Sequence, residues 1–230
     1  MVSGRPRINN WALHTVPQPG PNGRRGFQPR GKALGGSTAI NAMLYVRGHP
    51  ADYDEWAELG ATGWAWADLL PYFLKAERNM CGADALHGAD RPLQVADQND
   101  PRAISVAFVN AAAGMQIPRQ TDFNGPEQTG AGLYQVDGPQ QGERCSAAAA
   151  YLFPAMGRAN LTVLTRALVN QVMVEGKRAI GVSVTVGGVE KLLKARAEVI
   201  LAAGTFGSPQ LLLLSGMGQR PSCGAMGLRW

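Results

Sequence analysis

The stretch from Arg30 to Gly48 reads RGKALGGSTAINAMLYVRG, and its residue types suit the binding of an anion. Gly35 and Gly36 lack Cβ atoms, so the main chain there can turn through positive φ and approach a ligand closely. Ser37 or Thr38 follows as a candidate cap of a short helix, whose first N–H groups would point outward. Free N–H donors and the helix dipole at such an end attract phosphate. The same residues also suit a tight structural turn, and the run by itself leaves both readings standing.

A second stretch, from Glu198 to Gly218, reads EVILAAGTFGSPQLLLLSGMG. Its apolar start, ending at Ala203-Gly204, predicts a parallel strand buried on both faces. Ser208 is the expected N-cap of the following helix, Pro209 its first residue, and Gly216 its stop. Leu211 to Leu214 give that helix apolar residues all round. Ligands in open α/β sheets sit where strands give way to helices, the place of Ala203 and Gly204. An ordinary strand-to-helix packing unit would carry the same residues.

The elements that must position these turns follow from periodicity. Residues 1–30 are rich in Pro, Gly, Asn and Arg and predict an extended, loop-like entry. Helices are expected over 52–58, 68–78 and 104–114, with a short one opening at Ser146. Pro71 fits the second helix only in its first turn. Trp56, Trp64 and Trp66 are expected to pack in the core. Residues 82–101 and 116–143 read as irregular. Strands are expected over 161–165, 169–174, 180–186 and 199–202, with turns at Glu175-Gly176 and Gly187-Gly188.

Composition narrows the class. The 230 residues are 45% hydrophobic and 17% charged, a globular balance. No apolar run approaches a membrane span, and the N-terminus lacks the apolar core of a secretory signal. Cys81, Cys145 and Cys223 form no CxxC pair, which argues against zinc or a disulfide framework and for a reducing compartment. A cytoplasmic location is expected, with association at a membrane surface left open. The net charge is +5, and no acidic residue precedes Asp52, whereas Arg5, Arg7, Arg24, Arg25, Arg30, Lys32 and Arg47 do. Such a basic stretch seeks an anion: a phosphate-bearing cofactor, nucleic acid or an acidic surface. Only Trp11 and Phe27 interleave these charges, and no nucleic-acid motif is present, so nucleic acid is not the expected partner.

Taken together, the two glycine motifs resemble those of the glucose–methanol–choline (GMC) oxidoreductases, most closely the choline and alcohol dehydrogenase branch. Gly31 to Gly48, through Asp54, matches the family's first signature, and Gly204 to Gly218 matches its second. Pro17 to Gly20, Asp122 to Gly125 and Gly132 to Val136 are also family-like. The resemblance runs from about residue 8 to residue 218. It implies an α/β, mixed α+β fold: an incomplete FAD-binding Rossmann-like domain with part of an antiparallel-sheet substrate domain. The implied division is 1–80 for FAD binding, 81–158 for substrate-domain and connecting segments, and 159–230 for a return to the FAD-binding domain.

The resemblance further implies a flavoprotein that oxidises the CH–OH group of a small-molecule alcohol and passes electrons to an acceptor. Ala33, Gly35, Gly36 and Ser37 would lie along the FAD, and Asn41, Ala42, Met43 and Leu44 would approach its pyrophosphate and flavin end. Val169 would meet the adenine through its main chain, and Ala203 and Gly204 would line the dinucleotide groove. Ile40 stands where relatives with covalently attached FAD carry histidine, so non-covalent FAD is expected. The family's Gly-x-Gly-x-x-Gly unit and its catalytic histidine are not found between Met1 and Trp230. His14, His49 and His87 match no part of the catalytic motif and are expected to be surface or structural. No catalytic or metal-ligating residue is therefore assigned. Weak FAD affinity and no turnover are expected of the chain by itself. An unpaired apolar sheet edge is a further expected liability. The alternative readings are a remnant that binds nothing and a basic nucleic-acid-binding module.

Overall fold

The computed structural model describes residues 9–138 and 142–218, in two compact units, Met1–Leu161 and Thr162–Trp230.

In the first unit the loop-like entry is a small antiparallel hairpin, β1 (Leu13–His14) on β2 (Phe27–Gln28). Strands this short show no alternation in sequence, which is why only a loop was expected. Asn10 closes the hairpin's base: its Oδ1 accepts from Ala12 N and Arg30 N at 2.9 and 3.0 Å. The glycine loop follows and leads into β3 (Leu44–Tyr45).

Helix α1 (Pro50–Glu58) starts with a reciprocal cap: His49 Nδ1 accepts from Ala51 N, and Asp52 Oδ2 accepts from His49 N at 2.9 Å. Helix α2 (Trp66–Ala76) packs beside it through Tyr53, whose ring lies 5.3, 5.7 and 5.8 Å from those of Trp56, Trp66 and Phe73. Trp56 and Trp64 stay about half exposed, at 47% and 52%, so they edge this cluster rather than fill it. Pro71 is not in the first turn of α2 but inside the helix. Pro71 and Ala67, whose carbonyl loses its helical donor, are both exposed residues.

Four strands make the unit's main sheet, in the order β3, β6 (Gln135–Asp137), β5 (Leu93–Ala96), β4 (Glu77–Asn79). The β4–β5 pair is parallel and the other two are antiparallel. Three of these strands fall where a helix end or irregular chain was expected. Their pattern is inverted: Glu77 and Asn79 are buried around half-buried Arg78, and Gln135 and Asp137 around half-buried Val136. Polar residues facing inward defeat a reading based on hydrophobic alternation. Helix α3 (Ala103–Gly114) falls where it was expected. The short helix near Ser146 is a π turn, Ala148–Leu152, continued by a 3₁₀ turn, Phe153–Ala155.

The second unit is a three-stranded antiparallel sheet, β7 (Ala167–Glu175), β8 (Arg178–Val186) and β9 (Val189–Lys194), with helix α4 (Gly204–Leu214) against β7. The β8–β9 turn is Gly187-Gly188 with φ of 59° and 82°, the two-residue turn that matches strand twist. Ser215 Oγ accepts from Val172 N at 2.8 Å and ties α4 to the sheet. Gly216, φ 77°, ends α4 with the paired bonds Gly216 N to Leu213 O and Met217 N to Leu212 O.

Two expected strands are absent. Residues 161–165 and 199–202 make no ladder, and Ile200 is 78% exposed. A strand needs a neighbour to bond to, and the described residues offer none to 199–202. The cap of α4 also differs: Ala203 is the N-cap, with Ser208 and Pro209 inside the helix.

Candidate functional site

The glycine loop is built by close main-chain approach. A Cβ on Gly31 would stand 2.0 Å from Gly36 O, so only glycine lets the two ends of the loop touch. Gly35 and Gly36 have φ of 87° and 57°. Behind Gly35, Ala148 N would be 3.1 Å from an added Cβ, whereas at Gly36 there is open space. The expected helix is a single 3₁₀ turn, Gly36–Ala39, with Gly35 as its N-cap and no side-chain cap. Ser37 and Thr38 therefore cap nothing. Ser37 Oγ accepts from Gly31 N at 3.1 Å, and Thr38 Oγ1 accepts from Ala147 N at 2.9 Å. One turn has too few aligned peptides for a useful dipole, so the helix-end argument for anion binding falls.

Past Ile40 the chain is held in an uncommon shape. Met43 has φ 63°, and both its main-chain polar groups are tied: its N donates to Asn41 Oδ1 at 3.2 Å, and its O accepts from Asp137 N at 2.8 Å. Arg144 Nη1 donates to the same Asn41 oxygen. Asp137 is buried, and its Oδ1 has no hydrogen-bond partner among the described residues. Burial pushes its carboxyl pKa up, against the opposing pull of the Asn41 side chain and the Arg144 charge. A cavity of about 440 Å³ opens beside this segment, and its lining includes Ala42, Met43 and Leu44 together with the acidic Asp97, Asp100 and Glu143. Ala33, Ser37, Ala42 and Leu44 are exposed, while Gly35, Gly36, Asn41 and Met43 are half-buried. The first unit thus carries eight of the sequence-predicted residues on one continuous segment that runs from the glycine loop into β3. Sequence reasoning missed Arg144 and Asp137. The only signal for Arg144 was a basic residue heading the small-residue run 145–150, and for Asp137 there was none.

In the second unit Val169 lies beside a bulge. The ladder pairs Val169 with Val184 and Gln171 with Ser183, leaving Asn170 as the extra residue. Asn170 Nδ2 donates to Ser183 Oγ and Thr185 Oγ1 at 3.3 and 3.0 Å. Ala203 and Gly204 are exposed at the start of α4, and Gly204 has φ 77° with nothing within 4 Å of an added Cβ. Ser208 Oγ accepts from Ala203 N at 3.1 Å.

The three histidines have local partners. His14 Nδ1 lies 3.0 Å from Ala12 O, and His49 caps α1. His87 is buried, with Nδ1 2.9 Å from Asp84 Oδ1 and Nε2 3.3 Å from Asp122 Oδ2. The far end of the first motif is anchored by Arg47. Its guanidinium pairs with fully buried Glu77 and donates to Leu86 O at 2.6 Å, and its main-chain N donates to Asn124 Oδ1 at 2.8 Å.

Residues 8–227 match the family model described as GMC oxidoreductase. The chain belongs to the GMC oxidoreductase family. It is 42% identical, over 95% of its length, to the oxygen-dependent choline dehydrogenase of Rhizobium rhizogenes, and equally so to the human mitochondrial choline dehydrogenase. It spans 40% and 37% of those two relatives. Among solved structures, pyridoxine 4-oxidase from Mesorbium loti matches with TM-score 0.91 and 33% identity, over 96% of this chain and 44% of that one. An FAD-dependent oxidoreductase from Chaetomium thermophilum matches with TM-score 0.90 and 30% identity, over 97% of this chain and 41% of that one. The fold is accordingly the mixed α/β fold of GMC oxidoreductases. No helix among the described residues is long and apolar enough to cross a membrane.

Proposed function

We propose that the chain carries a large part of the FAD-facing surface of an alcohol-oxidising GMC oxidoreductase. The observation that carries this reading is Gly36: positive φ, open space where a side chain would stand, and a rigid backing of main chain behind it. A ligand can lie directly on such a main chain. Small exposed residues flank it, and no carboxylate occurs in the sequence before Asp52, which suits a pyrophosphate. Ala33, Gly35, Gly36 and Ser37 would lie along the FAD. The acidic lining near Ala42, Met43 and Leu44 is unfavourable to phosphate, so Asn41 to Leu44 would face the uncharged flavin end. In the second unit, Val169 beside its bulge would take the adenine, and Ala203 with Gly204 would line the dinucleotide path. Ile40 offers no nucleophile, and FAD is held without a covalent bond.

When bound, FAD would accept a hydride from the carbon of an alcohol. The residues of this chain bind and orient the cofactor, and they supply no base in this reading, because each histidine is engaged elsewhere. Choline-like alcohols are the first substrates to try, given the names of the curated relatives. The expectation for this chain alone is weak FAD affinity and no alcohol turnover.

The test is titration of FAD with the purified chain, read by quenching of flavin fluorescence, followed by acid precipitation. Quenching with free flavin in the supernatant supports the reading. Quenching with yellow colour retained in the pellet overturns the non-covalent assignment, and absence of quenching overturns the FAD assignment. Reduction of a dye acceptor by an alcohol would overturn the expectation of no turnover.

A further inference from the structure

The segment 144–148 backs the glycine loop at three separate points. Arg144 Nη1 donates to Asn41 Oδ1 and reaches the Thr38 carbonyl at 3.4 Å. Ala147 N donates to Thr38 Oγ1 at 2.9 Å. Ala148 packs under Gly35. Of these contacts only Arg144 extends toward the far part of the loop, through an oxygen that is shared. Asn41 Oδ1 accepts from both Arg144 Nη1 and Met43 N.

Met43 needs that help. At φ 63° its Cβ crowds the main chain, a shape that glycine takes freely and methionine does not. Something must hold it, and the holders are two: Asn41 Oδ1 on its N–H and Asp137 N–H on its carbonyl. Arg144 orients the first by its bond to Asn41, and its charge offsets the second residue's buried carboxyl. Both bonds leave one nitrogen, Nη1, so a single end of the guanidinium serves Asn41 and Thr38 together.

We propose that Arg144 is a positioning residue for the cofactor: through Asn41 it locks Met43 in the left-handed shape and so fixes the main chain of Ala42 to Leu44 before a flavin arrives. This rests on the FAD reading above and deepens it, because it assigns a role to a residue that need not touch the ligand.

The test uses the full chain and four proteins: unaltered, Arg144→Met, Met43→Gly and the double variant. Urea denaturation gives the first readout. Arg144→Met is expected to lower the midpoint clearly when Met43 is present and much less in the Met43→Gly background, because a glycine at that position needs no lock. Equal losses in both backgrounds would overturn the proposal, since plain packing by Arg144 would cost the same in each. Flavin quenching gives the second. Arg144→Met is expected to weaken FAD at least about tenfold, the scale of one charge-assisted hydrogen bond, with Met43→Gly restoring most of it. Unchanged affinity in Arg144→Met overturns the positioning role and leaves the FAD reading intact, whereas no quenching by the unaltered chain overturns both. Should Arg144→Met not fold, Arg144→Lys takes its place, with a smaller loss and the same rescue expected.

Discussion

Two glycine turns carry the family's signatures, one in each unit, and they differ in what holds them. The loop around Gly35-Gly36 is braced from behind by Ser37, Thr38, Ala148 and Arg144, with main chain against main chain at Gly31. The turn at Ala203-Gly204 shows, among the described residues, one side-chain bond, Ala203 N to Ser208 Oγ, with open space around Gly204 and a half-exposed segment without ladder pairing before it. Both use small residues and positive φ. The first keeps its shape by its own contacts. The second has a shape that a strand neighbour or a ligand would still have to support.

The contrast can be broken by adding single methyl groups. The largest effect is expected at Gly31→Ala, where the new Cβ would overlap Gly36 O; a loss of about 3 kcal/mol or more in urea denaturation is expected, the upper end for overpacking. Gly35→Ala should cost about 2 kcal/mol, from left-handed strain plus contact with Ala148. Gly204→Ala should cost only about 1 kcal/mol, the conformational part alone. A loss at Gly204→Ala equal to that at Gly35→Ala would remove the distinction.

The braced loop also carries a charge that works against it. The Asp137 carboxyl has a raised pKa in the fold because burial disfavours its ionised form. A raised carboxyl favours folding below the ordinary Asp range, and that contribution is lost as pH rises through the folded value. Asp137→Asn should therefore stabilise the chain at neutral pH, with the gain fading as pH falls through the raised folded value and gone below the ordinary Asp range. Thermal midpoints from pH 3 to 8 would check this, and a gain that grows toward acid would contradict it. The smallest effect belongs to the bare turn. Ser208→Ala removes one exposed acceptor and should cost below about 1 kcal/mol in the same assay.

Much of this was legible in the residues. The glycine run, the leucine helix stopped by Gly216, helix α3 and the hairpin turn at Gly187-Gly188 follow from local chemistry. What escaped the sequence did so for physical reasons. Strands β4 and β6 bury Glu77, Asn79, Gln135 and Asp137, so their alternation is reversed. The segment 199–202 has the composition of a buried strand, but pairing is not a property of one segment. Ser208 and Pro209 look like a helix start, yet α4 begins at Gly204, one residue past its Ala203 N-cap. Arg144 reaches its partners across more than a hundred positions, a relation with no local trace.

The anchoring of Arg47 has a consequence in time. Its main-chain partner Asn124 lies 77 positions further along the chain, and β3 must wait still longer for Val136. At ribosomal rates that is roughly 4–15 s of synthesis during which the end of the loop has neither partner. The glycine loop is therefore among the last parts of its unit to form, and folding of this unit is expected to be slow, because distant contacts must close before any of them is rewarded.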